Sequence, residues 1–212
     1  MYIRRPHFPI PSNVFKVAAA CLLCLGCAHG AVRRPTTHAA RDETLRRALL
    51  ARAEADQSVR RLMEALTAAD VERMIAVDTA NTAWLETVIA KHGWPGRSVV
   101  GDDGTQAAFL IVQHADRDTA FQARVLPLLE QAYAVGEADG QEMALLTDRL
   151  ASARMTPQVY GTQADLIDGR VRVKPIADSA HVDERRARVG LPPLTEYVRM
   201  LDSVYSARPR SR

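Results

Sequence analysis

The segment Gln113-His114-Ala115-Asp116-Arg117-Asp118 sets one imidazole beside two carboxylates. An imidazole changes charge near neutrality, so His114 can serve as a general base or polar anchor, or share a metal ion with Asp116 and Asp118. The structural alternative is a histidine hydrogen-bonded at a helix C-terminus, with the aspartates capping the next helix. His-x-Asp-x-Asp on a turn is weak evidence for a metal, and none is assigned.

Three further polar motifs follow. Asp148-Arg149 lies late in a helical pattern, where adjacent side chains point different ways and need separate partners. Arg149 can anchor an anion or brace neighbouring backbone carbonyls. Gln158-Val159-Tyr160-Gly161-Thr162-Gln163 supplies two amides, a phenol and a hydroxyl. That set suits reading a sugar, a peptide or a base edge, and suits equally a polar seam between layers. Asp183-Glu184-Arg185-Arg186 reads as a mixed-charge surface helix, with an arginine closing over an anionic ligand as its alternative. The stronger catalytic signatures are missing: no phosphate-cradling glycine loop, no His-Glu-x-x-His, no cysteine pairs for zinc, no Gly-x-Ser-x-Gly. These motifs name no cofactor.

The elements that must position these groups are mostly helices. Leu45, Leu49, Arg52, Val59, Leu62, Met63 and Leu66 recur near a 3.6 period, with Asp42 and Thr44 in the first turn and Arg52 free to keep its head in water. Asp70 is placed to cap a short second helix. Another runs from about Asp78, with Trp84, Leu85, Val88 and Ile89 on one face, and stops at Gly93. From about Asp103 a helix carries Ala107 to Val112, apolar all round and so buried on every side, which leaves His114 at the edge of the core. Asp116 or Asp118 caps the next, with Phe121, Val125, Leu129 and Tyr133 inward, Pro127 in its middle and Gly136 at its end. Gln141 to Ala153 follows, with Met143, Leu146 and Leu150 inward. Then the period changes to two. Asp168-Gly169 is a hairpin turn that pairs Leu166 with Val171, Ala164 with Val173 and Asp165 with Arg172. Asp183 caps a short helix stopped by Gly190, Pro192 and Pro193. A last helix shows Tyr197, Met200, Leu201 and Val204.

The chain has 212 residues, 47% apolar and 25% charged, which suits one globular domain. Its front reads as a signal peptide. Arg4, Arg5 and Lys16 precede the uncharged run Val17 to Gly26, which ends in Leu25-Gly26-Cys27. That ending resembles a bacterial lipobox with Cys27 as the lipidated residue, although Cys24 stands where leucine is usual. A plain signal-peptidase site around Ala28 and Gly30 is the rival. Pro6 and His7 fit twin-arginine export poorly. The segment holds three basic and no acidic residues, so its removal takes the formal net charge from +3 to zero. Nucleic acid is therefore not an expected partner. Cys21, Cys24 and Cys27 go with the signal or the anchor, so the domain itself has neither disulfide nor thiolate chemistry. The expected organisation is signal peptide 1–26, lipid-anchored flexible tether 27–40, one mainly helical α+β domain with a single C-terminal hairpin over 41–205, and a basic tail 206–212. Such a chain is expected to be exported to the cell envelope, at the outer membrane or periplasmic face if the cell is Gram-negative, with the membrane as a partner through Cys27.

Gly93-Trp94-Pro95, Val100-Gly101, Gln113-His114-Ala115-Asp116, Asp148-Arg149, Tyr160-Gly161-Thr162-Gln163, and Arg185-Arg186 with Gly190-Leu191 occur in this order. Together they resemble a bacterial family catalogued as a domain of unknown function, over roughly Leu45 to Tyr197. The resemblance supplies no mechanism. It implies that His114, Asp148, Arg149, Gln158, Tyr160 and Gln163 are typical of the family, while the signal peptide and tether belong to this member. The leading expectation is a small-ligand or substrate pocket between His114 and Tyr160. His114 would move a proton or anchor a polar group, with Arg149 as charge clamp and Gln158, Tyr160 and Gln163 as a hydrogen-bonding wall. The alternatives are a non-catalytic, protein-binding or structural envelope lipoprotein, and a metal site on His114 with a nearby carboxylate.

Overall fold

The computed structural model describes residues 40–61, 67–167 and 170–206. The expected signal peptide, Cys27, the tether as far as residue 39, the stripe positions Leu62, Met63 and Leu66, the turn residues Asp168 and Gly169, and the tail after Ser206 lie outside the described residues.

Five helices build the larger layer. α1 (Glu43–Arg60) starts where the Asp42 carboxylate accepts the Leu45 N–H. α2 (Ala68–His92) is one continuous helix, not the two expected: Thr67 is its cap and Asp70 closes a capping box three residues in. A carboxylate suits both positions, so Asp70 alone could not tell a helix start from a first turn. Gly93, at φ +73°, ends it as anticipated. α3 (Arg97–Gln113) begins earlier than its apolar run suggests, because Gly101, at φ +75° and ψ 172°, joins a short first segment to the main one. Every residue from Ala107 to Val112 is buried, as an all-apolar helix requires. α4 (Thr119–Ala134) contains Pro127, and Phe121, Val125 and Leu129 face inward. α5 (Gly140–Ala153) buries Met143, Leu146 and Leu150.

These helices share one apolar cluster, with α3 packed along α1 and α4 paired with α5. A smaller second cluster holds the C-terminal layer. β1 (Ala164–Ile167) and β2 (Arg170–Val173) pair antiparallel with Ala164 opposite Val173, Asp165 opposite Arg172 and Leu166 opposite Val171, the register that the alternation dictates. The apolar face of that hairpin packs on Tyr197, Leu201 and Tyr205 of α7 (Leu194–Ser206). Between them, α6 (Val182–Arg188) stops before Gly190, at φ +75°. Asp183 is not its cap: it sits in the first turn and accepts the Leu194 N–H, tying the start of α7 to α6. Among the described residues no helix is long and apolar enough to cross a membrane.

Candidate functional site

His114 follows the most deeply buried helix of the chain, and that burial carries it further inside than the edge of the core. It is 4% exposed. Its backbone N–H closes α3 on the Leu110 carbonyl, and its Nδ1 lies 2.9 Å from both carboxylate oxygens of Asp56. Asp56 is 1% exposed. It stands on the inward face of α1, one turn beyond Arg52, where the apolar period reserves a core position.

Two neighbours complete the hold on Asp56. Gln57 Nε2 donates to Oδ2 at 2.7 Å, and Arg60 Nη1 donates to Oδ1 at 2.7 Å. The other arm of Arg60 reaches across to α2, where Nη2 lies 2.8 and 2.9 Å from the two oxygens of Asp78. Burial pushes the Asp78 carboxyl above its ordinary range, with Arg60 opposing that shift. One turn earlier on α1, the guanidinium of Arg52 stacks 4.2 Å from the Trp84 ring centroid and donates to Asn81 Oδ1 at 3.1 Å. The Arg52 head is therefore engaged by α2 and not left in water; burial lowers its pKa.

One atom of this assembly has no partner. His114 Nε2 is buried and makes no hydrogen bond. A buried polar atom of this kind is uncommon, and each instance asks for a reason. A carboxylate at Nδ1 selects the tautomer protonated there, and Nε2 then carries the lone pair. That is the arrangement of an imidazole ready to accept a proton or to anchor a donor.

The aspartates after His114 do not join it. Asp118 caps α4 by accepting the Phe121 N–H at 2.8 Å, and Asp116 pairs with Arg149 at 2.6 Å. Among the described residues no group of three or more His, Cys, Asp or Glu is arranged to hold a metal ion. Arg149 is thus an ion-pair partner for the loop after His114. The backbone bracing that an arginine can supply comes instead from Arg185 and Arg186.

The polar run before the hairpin is organised by Asp148, which is fully buried. It accepts the N–H groups of Val159 at 2.8 Å, Tyr160 at 3.0 Å and Thr162 at 2.8 Å, and the Thr162 hydroxyl at 3.0 Å. Gln158 is equally buried and clips the two residues that flank the open end of the hairpin: Nε2 donates to the carbonyls of Gln163 and Lys174, and Oε1 accepts the Gln163 N–H. The Gln163 side chain donates to Thr162 Oγ1. Arg185 donates to the carbonyls of Val159, Ala177 and Asp178. Arg186, expected on the surface, is the largest fully buried side chain; it donates to Tyr160 O and Pro192 O, both at 2.6 Å, and stacks 4.9 Å from the Tyr197 ring. The half-buried phenol of Tyr160 is pushed up by burial first and by Asp148 next.

His114 and Tyr160 therefore belong to different polar networks. The imidazole faces Asp56 on α1. The phenol feels Asp148, Tyr133, Glu130 and Arg185. Among the described residues no hydrogen bond joins Tyr160 to the His114 network, and the two networks approach each other through the Asp116–Arg149 pair, next to Asp148 on α5. A shallow apolar groove of about 220 Å³ between α2 and α4, lined by Ile89, Phe121, Val125 and Leu128 among others, contains neither residue.

Asp56, Arg60 and Asp78 escaped the reading of motifs. Their signal is the carboxylate at position 56, one turn beyond Arg52 on a mainly apolar stripe. Glu142 escaped as well: it is 8% exposed, its Oε2 has no partner, and burial followed by repulsion from Asp139 pushes its carboxyl up to about 8.

No curated protein and no solved structure matches the chain. A family model matches residues 43–210, the whole of the helical domain described above: the chain belongs to the family of unknown function DUF6624.

Proposed function

We propose that this is an exported, lipid-anchored cell-envelope protein whose working centre is the Asp56–His114 pair, with Nε2 of His114 as the acid–base group or polar anchor for a small ligand. The observation that carries the reading is the unpartnered Nε2 on an imidazole whose other nitrogen is fixed by a buried carboxylate. If chemistry follows binding, it is proton transfer in a hydrolysis or group transfer. Arg149, which pairs with Asp116 in the loop after His114, would be the charge clamp for an anionic ligand that displaces that carboxylate. Gln158 and Gln163 are engaged beside the hairpin, and Tyr160 lies in that separate network, so the proposed centre rests on the Asp56–His114 pair.

The test is a thermal-shift screen of the chain against metabolite and cell-wall-fragment libraries, because a ligand that binds the native state raises the melting temperature by mass action. A hit whose stabilisation disappears in His114→Gln supports the reading. Hits that stabilise the variant equally contradict it. The anchor is tested separately by metabolic labelling with a radioactive fatty acid: label lost in Cys27→Ser supports lipidation, and an unlabelled wild-type chain refutes it.

A second reading, a non-catalytic envelope module, is favoured by a specific observation at the hairpin. There Asp148, Gln158, Arg185 and Arg186 bond mainly to backbone of neighbouring segments, as scaffold residues do. Under that reading the screen yields no hit that depends on His114.

A further inference from the structure

Two carboxylates and one guanidinium stand behind His114. Arg60 forks between Asp56, four residues back on its own helix, and Asp78 on α2; the side chains of Arg60, Asp56 and Asp78 are 12%, 1% and 17% exposed. A planar fork of five donors suits this task and an ammonium does not, since a single point charge cannot hold two carboxylates in fixed directions at once. Asp56 Oδ1 receives Arg60 at 2.7 Å while both oxygens stand 2.9 Å from His114 Nδ1. On its far side the carboxylate is gripped by Arg60 at Oδ1 and by Gln57 at Oδ2.

We propose that Arg60, held from behind by Asp78, is a positioning residue that locks the Asp56 carboxylate and thereby fixes the tautomer of His114 with Nε2 unprotonated. The proposal rests on the acid–base reading of His114. It adds to it a second pair, Asp78–Arg60, that never meets the ligand. The α1–α2 contact thus controls the state of a nitrogen at the end of α3. Loosening Arg60 lets the carboxylate swing, and the imidazole samples both tautomers.

The experiment is nitrogen NMR of the full-length chain labelled at histidine, with His114 assigned by its loss in His114→Gln. The wild type is expected to show one protonated nitrogen, Nδ1, and one unprotonated, Nε2. In Arg60→Lys and in Asp78→Asn the two resonances are expected to move toward each other, as averaging between tautomers requires. Both variants keeping the wild-type pattern would overturn the role of Arg60 while leaving the Asp56–His114 pair intact. A wild type with Nε2 protonated would instead overturn the acid–base reading itself. If Arg60→Lys does not fold, Asp78→Asn decides the question alone, because it takes the charge and one of the two acceptor oxygens from the rear hold without touching the Arg60–Asp56 contact.

Discussion

The imidazole of His114 and the carboxylate of Asp56 are separated by 58 residues of chain and meet at 2.9 Å. Each is almost wholly removed from solvent. One belongs to the cap of α3 and the other to the inward face of α1, so this buried polar contact is also a packing contact of the two most closely associated helices. Charge inside a core is costly unless it is paired and hydrogen-bonded, and here Gln57 and Arg60 fill the remaining acceptor sites of Asp56.

Removing that carboxylate should therefore be expensive. Asp56→Ala leaves the buried His114 Nδ1 without its partner and takes from Arg60 and Gln57 the carboxylate they share, with Arg60 keeping Asp78. Breaking one side of a buried pair costs about 3–5 kcal/mol. Denaturant unfolding of the variant checks this, and a loss under about 1 kcal/mol would show that the pair does not hold α1 to α3.

Asp148 makes a comparable case in the polar network before the hairpin. Its carboxylate takes three backbone N–H groups, and Asp148→Ala orphans them all. Each buried donor left unsatisfied costs about 1–3 kcal/mol. Amide exchange at Val159, Tyr160 and Thr162 should accelerate far more than exchange in α1. Uniform acceleration across the chain would mean that Asp148 supports global stability and has no special hold on the approach to the hairpin.

Glu142 gives the fold a pH dependence with a definite sign. Its carboxyl is pushed up to about 8 from an unfolded value of 4.5. Between those limits the native state keeps a proton that the unfolded state has lost. Stability therefore falls as pH rises, by up to about 1.4 kcal/mol per unit within that window, and levels off above it. Glu142→Gln cannot ionise and keeps a side chain that suits this position in the first turn. It should lose that slope, and the gap in its favour should widen from pH 5 to pH 8. Parallel stability profiles for the two chains would exclude an ionisation penalty at Glu142.

Gly101 links the two segments of α3 at a positive φ that side chains with a Cβ rarely adopt. Gly101→Ala should cost about 1–3 kcal/mol through backbone strain. Thermal unfolding measures it, and an unchanged melting temperature would show that the link tolerates another conformation.

Much of the architecture was legible because it follows periodicity. The alternation around Asp168-Gly169 allowed one register that keeps Ala164, Leu166, Val171 and Val173 on a common face, and that register is the one found. The all-apolar run Ala107–Val112 required burial on every side and received it. The continuity of α2 was not legible, since Asp70 serves equally as a cap and as the third residue of a capping box. The site was half legible. His114 drew notice as a histidine beside a greasy helix, but motif reading seeks partners nearby in sequence, and the partner was 58 residues away. Asp56 lies on the inward face of α1 with Leu49 and Arg52, but no short motif contains it. The residues around Tyr160 look like a recognition surface in sequence because neutral hydrogen-bonding groups serve backbone and ligand alike. Their partners, Asp148 and the strand carbonyls, emerge from tertiary contacts.

His114 Nε2 can be followed by NMR during binding. With a hit from the thermal-shift screen added to labelled full-length chain, the His114 Nε2 resonance should move until saturation, and that hit should no longer bind His114→Gln. A ligand that saturates the protein while Nε2 keeps its position would contradict the account, and the buried pair would then be part of the packing alone.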